Sequence, residues 1–242
     1  MRISRIYINN DLNEGIETGI TGETAHYAIN VLRMQNGQQL VVFNGKGGQY
    51  SAEIIGIKKG MVKVKVNEYQ SVERESNLNI TIVQGISRSQ RMDYAIQKSV
   101  ELGVTRIVPV ITEFCSMQLN DKRNEKKYNH WEKIIINSCE QCGRNRLPVL
   151  ENIMAIEEWL NQDTNNMKII LHPDKGTRFN EFNKKFDNIT LLTGPEGGFC
   201  QSEFEQALQS GYLPVKLGPR ILRTETASIV AISACQAMWG DL

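Results

Sequence analysis

Asn188-Ile-Thr-Leu-Leu-Thr-Gly-Pro-Glu-Gly-Gly-Phe199 and, one helical segment later, Pro214-Val-Lys-Leu-Gly-Pro-Arg-Ile-Leu-Arg-Thr-Glu-Thr-Ala227 carry the reading of this chain. Two short apolar runs, Ile189–Leu192 and Leu213–Leu217, each enter a loop rich in glycine and proline. Apolar runs of this length bounded by turn residues read as buried strands. Open α/β sheets take their ligands just beyond the carboxyl ends of their strands. Two such loops close together in sequence therefore form a candidate ligand cradle.

Upstream, the same grammar repeats. Leu78–Gly85, Thr105–Ile111 and Met167–Leu171 read as strands. Gln90–Leu102, Tyr128–Cys142, Ile156–Gln162 and Gln201–Ser210 carry apolar residues at helical spacing. Asp121–Lys127 reads as a charged connection. Nearly continuous apolar strands alternating with helices predict a parallel α/β sheet. The last helix, Glu225–Trp239, is apolar around most of its circumference, which predicts burial on more than one side and a second subunit to cover it.

The first seventy residues differ. Residues 2–8, Gln39–Phe43, Gln49–Ile57 and Met61–Tyr69 read as strands, the last alternating Val62, Val64 and Val66 with Lys63, Lys65 and Asn67. Glu23–Arg33 is the one helix expected there. The polar stretch Ser71–Asn77 places a boundary, giving a small β-rich domain over residues 1–72 and an α/β domain over residues 73–242.

Composition excludes several classes. The chain has 242 residues, 40% of them hydrophobic, with 28 basic and 27 acidic side chains for a formal net charge of +1. An RNA partner would have to be met by local clusters of positive charge. The opening residues lack the apolar core of a signal peptide, and no run reaches membrane-spanning length, so a soluble cytoplasmic protein with no membrane partner is expected. Five cysteines include one C-x-x-C, Cys139 and Cys142, without the second pair that structural zinc usually needs. Reduced thiols and no metal are expected.

The candidate chemistry sits in five sets of residues, each with a plainer structural alternative. Gly194–Gly198 has neither the Gly-Lys-Ser/Thr of a P-loop nor Rossmann spacing, and reads either as a tight turn or as a backbone cradle for a flat ligand; Glu196 would bond loop amides or face that ligand. In Leu217–Ala227, Thr224 and Glu225 suit a helix start, with Arg220 and Arg223 as surface charges. The functional alternative sets Ile221 and Leu222 against an apolar ring and Arg223 against a polar substrate. Arg144, Asn145 and Arg146 either complement a helix C-terminus or contact phosphates. Arg88 and Arg91 stand at a helix start, where the dipole disfavours them, which raises the functional reading. His26 and His172 are general-base candidates but read more readily as structural histidines.

Together these phrases resemble the RsmE family of bacterial ribosomal RNA methyltransferases, members of the knotted SPOUT superfamily. Thr193–Phe199 and Leu217–Ala227 resemble the family's cofactor loops. Arg91–Lys98 with Glu101–Val104, Glu140–Asn145, the opening Arg2–Tyr7, and His26 with Leu32-Arg33-Met34 extend the similarity along nearly the whole chain. Arg88 departs from it, since a lysine is more usual there.

The resemblance implies an N-terminal PUA-like RNA-binding β-barrel and a C-terminal SPOUT domain with a trefoil knot over roughly residues 188–239. It implies a homodimer with the active site at its interface, and transfer of a methyl group from S-adenosyl-L-methionine to N3 of a uridine in 16S rRNA of the small ribosomal subunit. The cofactor set it implies is Leu171, His172, Thr193, Gly194, Pro195, Glu196, Gly197, Gly198, Leu217, Gly218, Ile221, Leu222, Thr226 and Ala227. Arg223 would orient the base or stabilise its developing anion, and Glu225 is a candidate general base. RNA contacts would come from Arg5, His26, Arg33, Arg88, Arg91, Arg144, Asn145 and Arg146. A ribose 2′-O-methyltransferase and a non-catalytic RNA-binding or ribosome-assembly protein are the rival readings.

Overall fold

The computed structural model describes residues 3–115, 121–162 and 166–242. The chain divides into two compact units. The first comprises residues 1–75 together with Cys139–Leu147, and the second comprises Ser76–Ser138 with Pro148–Leu242. The division after Glu75 lies three residues beyond the one expected from composition. Cys139–Leu147, expected to belong with the second domain, groups with the first.

The first unit is built on a five-stranded sheet in the order β1-β3-β4-β5-β2. Its strands are β1 (Arg5–Tyr7), β2 (Glu17–Thr21), β3 (Gln39–Phe43), β4 (Gln49–Lys58) and β5 (Met61–Gln70). β1 runs parallel to β3, and the other pairs are antiparallel. The alternation in β5 works as its sequence requires. Val62, Val64 and Val66 are fully buried against Ile6, Val42, Ala52 and Ile54, while Lys63 and Lys65 are exposed. The strand path ends at β1 and β2, so the sheet is an open half-barrel where a β-barrel was expected. The expected helix over Glu23–Arg33 is a short α1 (Gly22–His26) that widens into a π-helical turn, Tyr27–Val31. It ends at Arg33 with φ 51°, the one non-glycine residue with positive φ among the described residues.

The second unit holds a parallel sheet in the order β12-β10-β11-β6-β7-β8. The strands are β6 (Asn79–Gly85), β7 (Arg106–Ile111), β8 (Val149–Leu150), β10 (Met167–Leu171), β11 (Asn188–Thr193) and β12 (Leu213–Val215); β9 (Met154–Ala155) adds to β7. Both faces are covered, as a parallel sheet demands. Val83, Val108, Val110, Ile170 and Leu192 pack under α4 (Ile156–Leu160) and α5 (Gln201–Gln209), around Trp159, Phe204 and Tyr212. On the other face, α2 (Ser89–Glu101) packs with α6 (Thr224–Trp239), which also lies against β11.

One expectation changes. Asp121–Lys127 is not a connection but the opening of α3 (Asp121–Cys142). α6 is buried along one stripe only, Thr224, Ser228, Ala231, Ile232, Cys235, Gln236 and Trp239. Its opposite face, with Val230 and Met238 more than a third exposed, stays uncovered in the single chain.

The chain leaves β6 towards β7 and β8 on one side and later fills β10, β11 and β12 on the other. The carboxyl ends of β10, β11 and β12 therefore gather beside that of β6, which is where a doubly wound sheet opens a crevice.

Candidate active site

A cavity of about 500 Å³ opens at those strand ends, within the size range of small-molecule sites. It is lined by the ends of β10 and β11, the loop Gly194–Phe199, the start of α5 and the loop from Leu217 to Ala227, with Arg91 at its edge. The loop after β11 reaches the cavity because Gly85 lets it pass: a Cβ there would stand 2.5 Å from Pro195 Cδ. Gly197 is equally confined, since a Cβ would fall 2.6 Å from the Cβ of Phe114. The glycines of this loop thus serve close approach of backbone to its surroundings.

Of the residues expected to hold a cofactor, Leu171, His172, Thr193, Gly194, Pro195, Glu196, Gly197, Gly198, Leu217, Ile221, Leu222 and Ala227 line the cavity, whereas Gly218 and Thr226 do not. Arg223 lines it, and Glu225 does not. One Glu225 carboxylate oxygen is shielded from solvent with no hydrogen-bond partner among the described residues. Pro173, Phe199, Cys200, Gln201, Phe204, Arg220 and Thr224 also line the cavity. The α5 residues among them had no sequence signal, because a helix start says nothing about which neighbouring strand end it will face.

Three side chains acquire definite roles in the geometry. Glu196 accepts hydrogen bonds from the Arg88 backbone N–H (3.1 Å) and stands 3.4 Å from Arg91 Nη1. A carboxylate at the start of α2 offsets both the helix dipole and the charge of Arg91. It makes these contacts through one carboxylate oxygen while lining the cavity. His172 Nδ1 accepts from the backbone N–H groups of Asp174 (3.1 Å) and Lys175 (3.0 Å), so in the neutral ring the proton sits on Nε2. Burial, then the neighbouring Lys175 ammonium, lowers its pKa from the ordinary histidine value. Thr224 was expected to cap α6; instead Arg223 occupies the cap position without a side-chain bond, and the Thr224 hydroxyl donates to Gly194 O at 2.6 Å.

Thr193 supplies a test of what the cavity is for. Its side chain is 3% exposed, it lines the cavity, and its Oγ1 has no partner among the described residues. A buried hydroxyl without a partner costs about 1–3 kcal/mol. A polar ligand offering a hydrogen bond at that point removes the cost. With a glycine-rich backbone wall, an apolar rim and this hydroxyl, the cavity fits a nucleoside-bearing cofactor.

Comparison with known proteins agrees with this geometry. A family profile described as RNA methyltransferase domain matches residues 74–236, and one described as RNA methyltransferase PUA domain matches residues 20–67. Ribosomal RNA small subunit methyltransferase E from Buchnera aphidicola subsp. Schizaphis graminum is 41% identical over 242 residues, covering 100% of this chain and 98% of the relative. The chain belongs to the ribosomal RNA small subunit methyltransferase E family. The Bacillus subtilis member is 29% identical over 92% of this chain and 91% of its own length. The member from Neisseria gonorrhoeae, solved bound to S-adenosyl methionine, superposes with a TM-score of 0.92 at 36% identity over the whole of both chains. A Legionella pneumophila protein solved in complex with the bound cofactor SAM superposes with a TM-score of 0.97 at 39% identity, again over the whole of both chains.

In this family member the expected RNA contacts fall into two groups. Arg144 is 4% exposed and bonds Glu75 through Nε (3.1 Å) and Nη2 (2.5 Å). Asn145 is fully buried, donating to Val72 O and accepting from Arg5 Nη2 at 2.6 Å. Arg5 also donates to Arg144 O at 3.2 Å, bonds Gln49, and lies 4.9 Å over the Phe43 ring. Arg144 and Asn145, expected to grip phosphates, are thus engaged inside the first unit, and Arg5 is engaged there through both Nη atoms while its buried Nε has no hydrogen-bond partner among the described residues. His26, Arg33, Arg88 and Arg146 are exposed and remain available. Arg91 is half-buried beside the cavity.

Among the described residues no group of three or more His, Cys, Asp or Glu side chains could hold a metal ion. No helix among them is long and apolar enough to cross a membrane.

Proposed function

We propose that this protein methylates N3 of a uridine in the 16S RNA of the small ribosomal subunit, with S-adenosyl-L-methionine as the methyl donor. The observation that carries the reading is the cavity at the switch point of the parallel sheet, with an unpartnered buried hydroxyl inside it and Arg223 on its wall. When bound, S-adenosylmethionine supplies a methyl group already activated by its sulfonium. Backbone groups of Gly194–Gly198 and Leu217–Leu222 hold its nucleoside, with Thr193 Oγ1 as a polar anchor. The chain's remaining task is alignment, which can account for a large part of such a rate.

Arg223 is the candidate that faces the base. A guanidinium is a fixed cation with a fork of donors, suited to the anion that develops over N3 and O4 as the N3 proton leaves. Glu225 is the weaker candidate for proton removal, because it lies outside the cavity wall. N3 is on the pairing edge of uracil, so the target must be unpaired or splayed out. Exposed Arg33, Arg88 and Arg146 are the candidates for phosphate contacts, with His26 beside them.

The reading includes a homodimer, supported by the uncovered face of α6, where Ile229, Val230, Ala234, Ala237 and Met238 leave apolar surface in water. It includes the trefoil knot over residues 188–239 and a cytoplasmic location, both carried by family membership.

Nucleoside mass spectrometry of rRNA treated with the purified protein and S-adenosylmethionine tests the reaction. 3-Methyluridine is the expected product, and a ribose-methylated nucleoside or no product overturns the assignment. Calorimetry tests the pocket. Replacing Gly197 by Val drives a side chain into Phe114 and should abolish cofactor binding; unchanged affinity would remove the loop from the site.

A further inference from the structure

Gln84 is a polar residue inside an otherwise apolar strand, 2% exposed, and no motif points to it. It is the register partner of Thr193 on the neighbouring strand. Its two amide atoms make three bonds. Nε2 donates to Gly85 O (3.1 Å) and to Thr224 Oγ1 (3.1 Å), and Oε1 accepts from Ser228 Oγ (2.6 Å). Ser228 is fully buried and Thr224 is 7% exposed.

The direction of this chain of bonds is fixed by counting hydrogens. Thr224 has one hydroxyl hydrogen, and at 2.6 Å it goes to Gly194 O. Thr224 Oγ1 can then only accept from Gln84, so the amide nitrogen must face it. Gly85 O takes the second amide hydrogen, and Oε1 is left for Ser228. The chain therefore runs one way, from Ser228 through Gln84 and Thr224 to Gly194. Buried bonds of a connected network reinforce one another, and a wrong group within one is left unpaired at full cost.

We infer that Gln84 is a positioning residue, holding the cofactor loop at Gly194 and the first turn of α6 in one fixed relation. Arg223 stands immediately before that turn, so the amide sets Arg223 relative to the loop that carries the cofactor. This rests on the function proposed above for Arg223 and Gly194–Gly198. Glutamate at position 84 has the same shape but no N–H. It confronts the Gly85 carbonyl, and it draws the Thr224 hydrogen away from Gly194.

The test compares wild type with Q84E and S228A, all as full-length protein. Q84E should weaken binding of S-adenosylhomocysteine about fivefold and lower kcat about tenfold, the size of one to two lost hydrogen bonds, with KM for rRNA unchanged. S228A removes a single oxygen from a helix that remains well packed. It should shift both quantities the same way by about twofold to threefold, and it carries the test if Q84E does not fold. Amide hydrogen exchange should accelerate together in residues 194–198 and 223–227. A lowered melting temperature with binding and kcat unchanged from wild type, or faster exchange in only one of the two segments, overturns the inference. If the wild type itself binds no S-adenosylhomocysteine, the proposed function falls, while the exchange measurement still decides whether Gln84 couples the two segments.

Discussion

Two arginine-bearing loops, Gly143–Arg146 and Gly218–Arg223, look alike in sequence and are put to opposite use. Each contains a glycine with positive φ and two arginines next to a helix end. In the first, Arg144 is buried against Glu75 and Arg146 stands 3.6 Å from Glu73, so the stretch Glu73–Glu75 supplies an acid for each. In the second, Arg220 and Arg223 have no acidic partner among the described residues, Ile221 is 85% exposed, and all three line the cavity. A buried arginine with an acid built for it is part of the fold, as Arg144 is. An arginine held at a cavity wall without one is available to a ligand. The difference lies in what stands opposite each loop, not in the loop itself.

The sharpest way to break the comparison is to remove one arginine from each loop. Arg223→Ala should lower kcat by about 10²–10³-fold, the usual effect of losing a donor aimed at developing charge, with cofactor affinity and melting temperature near wild type. Near-normal turnover would return Arg223 to the surface charges. Arg144→Ala should do the reverse. It leaves the half-buried Glu75 carboxylate without its cation and should cost about 3 kcal/mol of folding stability, measured by urea unfolding, with little effect on turnover per folded molecule. Arg146→Ala breaks an exposed pair and should change stability by less than about 1 kcal/mol; a larger loss would mean that this loop does not divide into a buried and an exposed arginine.

Smaller effects concern titration at the cavity. The folded-state pKa of His172 is depressed below its ordinary 6.5, so the folded protein binds this proton less readily than the unfolded chain. Its contribution to stability is complete above pH 6.5 and is lost as pH falls from there through the lower folded value. Protonation also fills Nδ1, which now accepts from Asp174 and Lys175. An NMR titration should place the His172 pKa below 6.5 and show the Asp174 and Lys175 amides shifting with it. A normal value would mean that the two bonds do not hold. Among the thiols, burial pushes Cys139 and Cys235 to about 12. Both should resist alkylation in the folded protein, while Cys200 should react and be protected by S-adenosylhomocysteine, as judged by peptide mass spectrometry.

Much of the second unit was legible because its strands are long apolar runs closed by glycine and proline. Such runs, alternating with helices that serve as crossovers, pair in parallel. The loops after β11 and before α6 were legible for the same reason, and twelve of the fourteen residues expected at the cofactor line one cavity. What escaped notice depended on distant partners. β2, Glu-Thr-Gly-Ile-Thr, has one buried residue and becomes a strand because β5 lies beside it. Asp121–Lys127 looked like a connection for its charge, yet its lysines, arginine and glutamate are good helix formers. Arg144 and Asn145 resembled a phosphate grip because burial is not written in residue type. Gln84 carried no signal, since one amide in an apolar strand says nothing about two hydroxyls 140 and 144 positions later.

The membership of Cys139–Leu147 in the first unit bears on how the protein is made. Synthesis runs from the N-terminus, and domains usually fold as they emerge. Here the strands of the first unit leave the ribosome early, but Arg5, the Tyr7 amide and Glu75 find Asn145, Glu140 and Arg144 only after some seventy further residues have followed. Those residues already include β6, α2 and β7 of the second unit. A nascent chain paused near residue 130 would hold a complete half-barrel whose lining acid and arginine still await their partners, so the first unit is finished from within the second.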